Sequence, residues 1–149
     1  MPIRVRSATE ADLPALVELL QALFALEADF QPDPERQRRG LAAMLSNRDR
    51  RLVLVAETGG SVVGMATGQL VISTAEGGAA CLVEDVVVTA ERRGQGIGGV
   101  LLDQVAKWAA ARGATRLQLV ADRENEAALR FYDRRGWRRT RLVALHHGL

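Results

Sequence analysis

From Arg51 the hydrophobic period of this chain changes to two, and that change limits what the chain can fold into. Between Arg51 and Val88, "RLVLVAE", "SVVGMATGQLVIS" and "AACLVEDVVV" read with a period of two, separated by "TGG" and "TAEGG". Three period-two runs joined by short glycine turns describe an antiparallel meander. After Thr89 the period becomes helical, with Ile97, Val100, Leu101, Val105, Trp108 and Ala109 on one face. The helix stops at Arg112-Gly113, where glycine supplies a left-handed cap. "ATRLQLVAD" then reads as strand again. Strand, loop, helix and strand across residues 82–121 form one crossover, which implies a parallel pair.

The flanks complete the outline. "IRVRSA" alternates as a first strand. Thr9 and Asp12 form a capping-box-like start for a helix carrying Leu13, Leu16, Val17, Leu20, Leu23 and Phe24. "DFQPDPERQ" breaks that helix, and Asp33-Pro34 restarts another with Leu41, Met44 and Leu45 on its apolar face. "ENEAALRFYDRRG" reads as a short helix ending at Gly136, and "WRRTRLVALHH" as a last strand. No linker or repeat intervenes. The expectation is one α/β (α+β) domain over residues 1–149, with a mixed, mostly antiparallel sheet flanked by helices.

Composition narrows the class. Hydrophobic content of 48% and charged content of 26% are those of an ordinary globular protein. The lone Cys81 excludes an internal disulfide and favours a reducing, cytoplasmic setting. No apolar run approaches a membrane span, and "MPIRVRSATEAD" lacks the apolar core of a signal peptide. Net charge is +2, and the arginine clusters (Arg36, Arg38, Arg39; Arg48, Arg50, Arg51; Arg138, Arg139, Arg141) are interleaved with acids and few aromatics. That pattern describes solvated faces, so neither nucleic acid nor membrane is an expected partner. His146 and His147 have no acidic or cysteine partner at ligand spacing, and no metal is expected.

The chemistry concentrates in "ERRGQGIGGV". Gly94, Gly96 and Gly99 spell G-x-G-x-x-G, a dinucleotide fingerprint, and Asp122 ends the following strand near where a ribose-binding acid would sit. Three features oppose that assignment. "TAERR" separates Val88 from Gly94, whereas the fingerprint puts its first glycine in the turn that ends the strand. The crossover follows a meander instead of alternating strands and helices. No second crossover completes a dinucleotide site. A phosphate loop of the Walker type is excluded because no G-K-[ST] occurs.

Arg93-x-x-Gly96-x-Gly98, after the "VEDVVV" strand and before a leucine-rich helix, resembles the acetyl-CoA motif of the GNAT family of N-acetyltransferases. "NEAALRFYDRRGW" is similar to that family's N-x-x-A-x-x-x-Y helix leading into a G-[FW] strand, and the order of elements agrees along nearly the whole chain. The resemblance implies acetyl-CoA as cosubstrate. Its pyrophosphate would lie on Arg93, Gly94, Gln95, Gly96, Ile97, Gly98 and Gly99. Its pantetheine arm would lie along Val86, Val87 and Val88, where the strand splays from its parallel neighbour, with Asn125, Ala128 and Tyr132 beyond. The physics agrees: a helix start offers unpaired N–H donors and a favourable dipole to an anion.

Transfer to an amine needs the amine neutral and an acid for the departing thiolate. By the two-residue period Glu84 shares a face with Val86 and Val88, and Asp85 points to the other. The resemblance carries the base to Glu84, with Asp85 as the alternative, and the thiolate's acid to Tyr132, the only tyrosine. Asn125 has a second identity as a plain helix N-cap. The acceptor is expected near "FALEADFQPDPE", where Glu27, Asp29, Asp33 and Glu35 surround Phe30. Glu27, Phe30 and Glu84 are its candidate contacts, and a small polyamine-like or amino-acid-like amine leads over a protein N-terminus or lysine. A non-catalytic acetyl-CoA-binding regulatory module is the alternative function. A homodimer is expected from the resemblance and from the apolar edge "LVALHHGL".

Overall fold

The strand runs do pair into one sheet. A computed structural model of the protein describes residues 2–26 and 31–149, which divide into two units, Met1–Gln118 and Leu119–Leu149. In the first unit five strands lie in chain order: β1 (Arg4–Ser7), β2 (Arg51–Thr58), β3 (Ser61–Ser73), β4 (Gly78–Val88) and β5 (Leu117–Gln118). The first four are mutually antiparallel. β5 joins β4 in parallel at Cys81↔Leu117 and Leu82↔Gln118.

Helices cover both faces of the sheet. On one side, α1 (Leu13–Leu26) and α2 (Pro34–Leu45) contribute Leu16, Leu20 and Leu41 to a buried cluster with Val53, Val55, Met65 and Val87. On the other, α3 (Ile97–Ala111) buries Ile97, Leu101, Val105 and Ala109. Two strand glycines let α3 approach closely. A Cβ on Gly64 would meet Val87 O at 3.2 Å and Leu101 Cδ1 at 3.3 Å, and one on Gly68 would meet Cys81 Sγ at 3.1 Å.

The helix starts follow the sequence. At the first, Thr9 N–H donates to Asp12 Oδ2 at 2.8 Å, closing a capping box, though one 3₁₀ turn precedes α1. Arg6 holds the same carboxylate with two bonds of 2.8 and 3.0 Å and reaches Glu57 at 3.0 Å. This guanidinium keeps the Asp12 carboxyl below the usual carboxylate range. At α2, Asp33 Oδ1 accepts from Arg36 N at 3.2 Å, with Pro34 in the first turn.

The second unit departs from the expected outline. It contains α4 (Glu126–Arg134) and no strand. Residues 137–149, expected to form a last strand, are irregular, and Leu142 and Leu145 are 84% and 88% exposed. A strand persists only against a neighbour, and this unit has no second strand to pair with. "ATRLQLVAD" likewise contributes only Leu117 and Gln118 to the sheet. Among the described residues no helix is long and apolar enough to cross a membrane.

Candidate active site

Between β4 and α3 the chain makes one 3₁₀ turn, Ala90–Arg92, then runs extended through Arg93. Gly94 and Gly96 take left-handed conformations, with φ of 77° and 83°, and Gly96 is the N-cap of α3. A side chain at either position would strain the backbone, so glycine is required by conformation here. Val100 N–H bonds back to Gly96 C=O at 3.1 Å. Ahead of it, the N–H groups of Gln95, Gly96, Ile97 and Gly98 have no acceptor among the described residues. No atom lies within 4 Å of where a Cβ on Gly94 or Gly96 would sit. Converging donors, open space and a helix dipole suit a phosphate group. Arg93 Nε donates to Val88 C=O at 3.2 Å, which anchors its guanidinium beside the loop.

Beyond Leu82, β4 has no strand on its β5 side among the described residues. Thr89 N–H donates to Val63 C=O at 2.8 Å, one step outside the Gly64↔Val88 pair. Gly64 and Val88 are therefore not hydrogen-bonded to each other, and alternation turns the main-chain groups of Val86 and Val88 away from β3. Val87, expected to serve beside them, is corrected: its main-chain groups point toward Met65. The main-chain edge without a neighbouring strand belongs to Val86 and Val88, and Val88 C=O there accepts from Arg93 Nε.

A β-bulge corrects a second expectation. Gly68 pairs with Val83 but Ala66 pairs with Val86, so Glu84 and Asp85 together oppose Thr67. Strict alternation would put Cys81 and Val87 on one face. Cys81 Sγ instead lies on the α3 side, near Val105 and Trp108, whereas Val87 packs with α1. The extra residue turns Glu84 and Asp85 into the same cleft. Glu84 does not share the face of Val86 and Val88, contrary to expectation; it lies with Asp85 on the opposite face.

The cleft has a volume of about 930 Å³. Leu20 and Phe24 of α1, Gln37 and Leu41 of α2, and Thr67, Gln69, Glu84 and Asp85 of the sheet line it. Thr67 hydrogen-bonds Asp85, whereas Glu84 is exposed and has no hydrogen bond or ion pair among the described residues. Asp33 also reaches the cleft, where it caps α2 and pairs with Arg36 at 3.6 Å. Glu27, Asp29 and Phe30 lie outside the described residues. Sequence reasoning missed Gln37, Thr67 and Gln69. Gln37 carried a signal: it lies four residues before Leu41, on the apolar face of α2.

In the second unit Asn125 is the N-cap of α4, and its Oδ1 accepts from Ala128 N at 3.1 Å. Tyr132 packs edge-on against Phe131 and Trp137, with ring centroids 5.2 and 5.6 Å away. His146 and His147 are exposed.

A mixed sheet that opens at its one parallel pair, with a glycine loop leading from the open strand into a helix, defines an N-acetyltransferase-like fold. The chain belongs to the acetyltransferase (GNAT) family, whose sequence profile matches residues 13–137. An uncharacterized N-acetyltransferase of Methanocaldococcus jannaschii is 27% identical over 140 residues. The match covers 93% of this chain and 62% of the relative's length. A transcriptional regulator from Bacillus halodurans C-125 superposes with a TM-score of 0.87 at 26% identity, covering 99% of this chain and 100% of its own. An aminoglycoside N-acetyltransferase solved in complex with CoA superposes with a TM-score of 0.84 over 99% and 95% of the two chains. At 15% identity, that last likeness is one of fold alone.

Proposed function

We propose that the protein is an acetyl-CoA-dependent N-acetyltransferase acting on a primary amine of a small molecule or of a protein N-terminus or lysine. The observation that carries this reading is the open edge of Val86 and Val88 leading into a loop of unpaired N–H donors. The family match runs across both units, which supports reading residues 1–149 as one acetyltransferase domain.

Acetyl-CoA supplies an activated acetyl thioester when bound. The N–H groups from Gln95 to Gly98, with Arg93 at the rim, hold the pyrophosphate. The Val86 and Val88 main chain aligns the pantetheine arm, and a main-chain N–H of this edge stabilises negative charge developing on the carbonyl oxygen. Glu84 takes one proton from the acceptor ammonium, so that the nitrogen lone pair forms the new C–N bond as the C–S bond breaks, and the nitrogen's second surplus proton passes to solvent. By family resemblance Tyr132 donates a proton to the leaving sulfur, and the Asn125–Ala128 turn contacts the arm. No metal is used. The test is thiol release from acetyl-CoA across a panel of amines; release with none of them rejects the reading.

The likeness to a transcriptional regulator favours one other reading, a non-catalytic acetyl-CoA-binding module. Tight acetyl-CoA binding without turnover would select it. A homodimer belongs with the main reading, since Leu142, Val143 and Leu145 leave an apolar stretch exposed. A cytoplasmic setting goes with Cys81, whose thiol is buried and pushed up in pKa by that burial.

A further inference from the structure

The α2 wall of the cleft is apolar at Leu41 and Met44, and polar one turn earlier at Gln37. Gln37 is 8% exposed, and neither Nε2 nor Oε1 has a hydrogen-bond partner among the described residues. A buried carboxamide unpaired at both ends costs free energy that Leu or Met at this position would not. Such a group marks a place where something else completes the bonding. Gln37 lines the same cleft as Glu84 and Asp85, where the acceptor amine would be deprotonated.

We infer that Gln37 is a specificity-determining residue, and that the acceptor carries a hydroxyl or carboxamide group beyond its reacting nitrogen. This rests on the acetyl-transfer reading. The chemistry of the two orphan atoms makes the choice. Oε1 needs a donor hydrogen and Nε2 needs an acceptor lone pair. A protonated polyamine offers donors only and would leave Nε2 unpaired, while a carboxylate offers acceptors only and would leave Oε1 unpaired. A hydroxyl or a carboxamide supplies both. Thr67 and Gln69 of the sheet add neutral polar groups to the same cleft. A cleft of about 930 Å³ also holds a compact, oxygen-rich molecule more fully than a slender alkyl chain.

The experiment measures kcat/KM for glucosamine, glycinamide and putrescine with the wild type, Gln37→Leu and Gln37→Met. Glucosamine tests the hydroxyl and glycinamide the carboxamide. The wild type should prefer at least one of them over putrescine by on the order of 10- to 100-fold. In both variants that ratio should collapse through loss on the oxygenated amine, with putrescine turnover retained. Both variants should also melt above the wild type, because the unpaired amide is gone. A wild type that prefers putrescine, variants that keep the wild-type ratio, or variants that both melt lower would overturn the assignment of Gln37. An absence of thiol release with every amine would instead reject acetyl transfer, and the inference with it.

Discussion

Thr67 Oγ1 accepts a hydrogen bond from the Asp85 main-chain N–H at 3.1 Å and donates one to Asp85 Oδ2 at 3.2 Å. This pairing spans the bulge and occupies Asp85, while the adjacent Glu84 has no such partner. The two carboxylates should therefore differ in their effect on turnover. Glu84→Gln is expected to lower kcat/KM on the order of 10²-fold at neutral pH. Its deficit should shrink as pH rises and more of the acceptor is already neutral. Asp85→Asn, which keeps an oxygen for Thr67, should change activity little. A pH profile of kcat/KM for both variants decides the matter, and full activity in Glu84→Gln would move the base elsewhere.

Tyr132→Phe removes one hydroxyl and keeps the ring that packs against Phe131 and Trp137. Folding and acetyl-CoA affinity should therefore be retained, with turnover lower on the order of 10²-fold. Unlike the Glu84→Gln deficit, this one should not recover at high pH, because the missing proton goes to the leaving group. Calorimetry with acetyl-CoA beside steady-state kinetics separates the two effects.

The loop should bind acetyl-CoA and not NAD or NADP. Gly98→Asp is the cleaner probe than Gly96→Asp, because Gly96 sits at φ 83° and any side chain there also strains the helix start. A carboxylate at Gly98 would meet the pyrophosphate with like charge, and binding should fall below detection by calorimetry while the melting temperature holds. Unchanged affinity would show that the loop holds nothing.

The sequence made the meander, the crossover and two helix starts legible because each rests on local chemistry: period, glycine turns, Thr9–Asp12 and Asp33–Pro34. It also located the loop, since four glycines before a helical face have few other uses. The face of Glu84 was not legible. Alternation assumes an unbroken ladder, and the bulge opposite Thr67 is a two-against-one pairing fixed by register with another strand. The same holds for Val87, whose bonding direction depends on which β3 residue it meets. The last strand failed for a related reason: residues 137–149 have the right pattern, but pattern alone provides no partner. Gln37 was visible as a polar residue on an apolar helix face, yet only burial shows that its amide is unpaired.

The cluster of Arg6, Asp12 and Glu57 ties β1, the first helix start and β2 together, and it sets a pH dependence of stability. Asp12 is 8% exposed, and its carboxyl is held below the usual range chiefly by its bonds to Arg6, despite the opposing effect of burial. A carboxylate depressed in the folded state contributes stability that is complete above its unfolded value, near 4, and is lost as pH falls through the folded value. Asp12→Asn should cost about 1–3 kcal/mol at pH 7, the range for hydrogen bonds to a charged group in a partly buried setting. The difference from the wild type should begin to narrow as pH drops below about 4, where the unfolded chain takes up the proton, and close as pH falls through the lower folded value. Urea unfolding of both proteins between pH 3 and pH 7 measures this. A gap that stays constant with pH would mean that Asp12 acts through shape and not through charge.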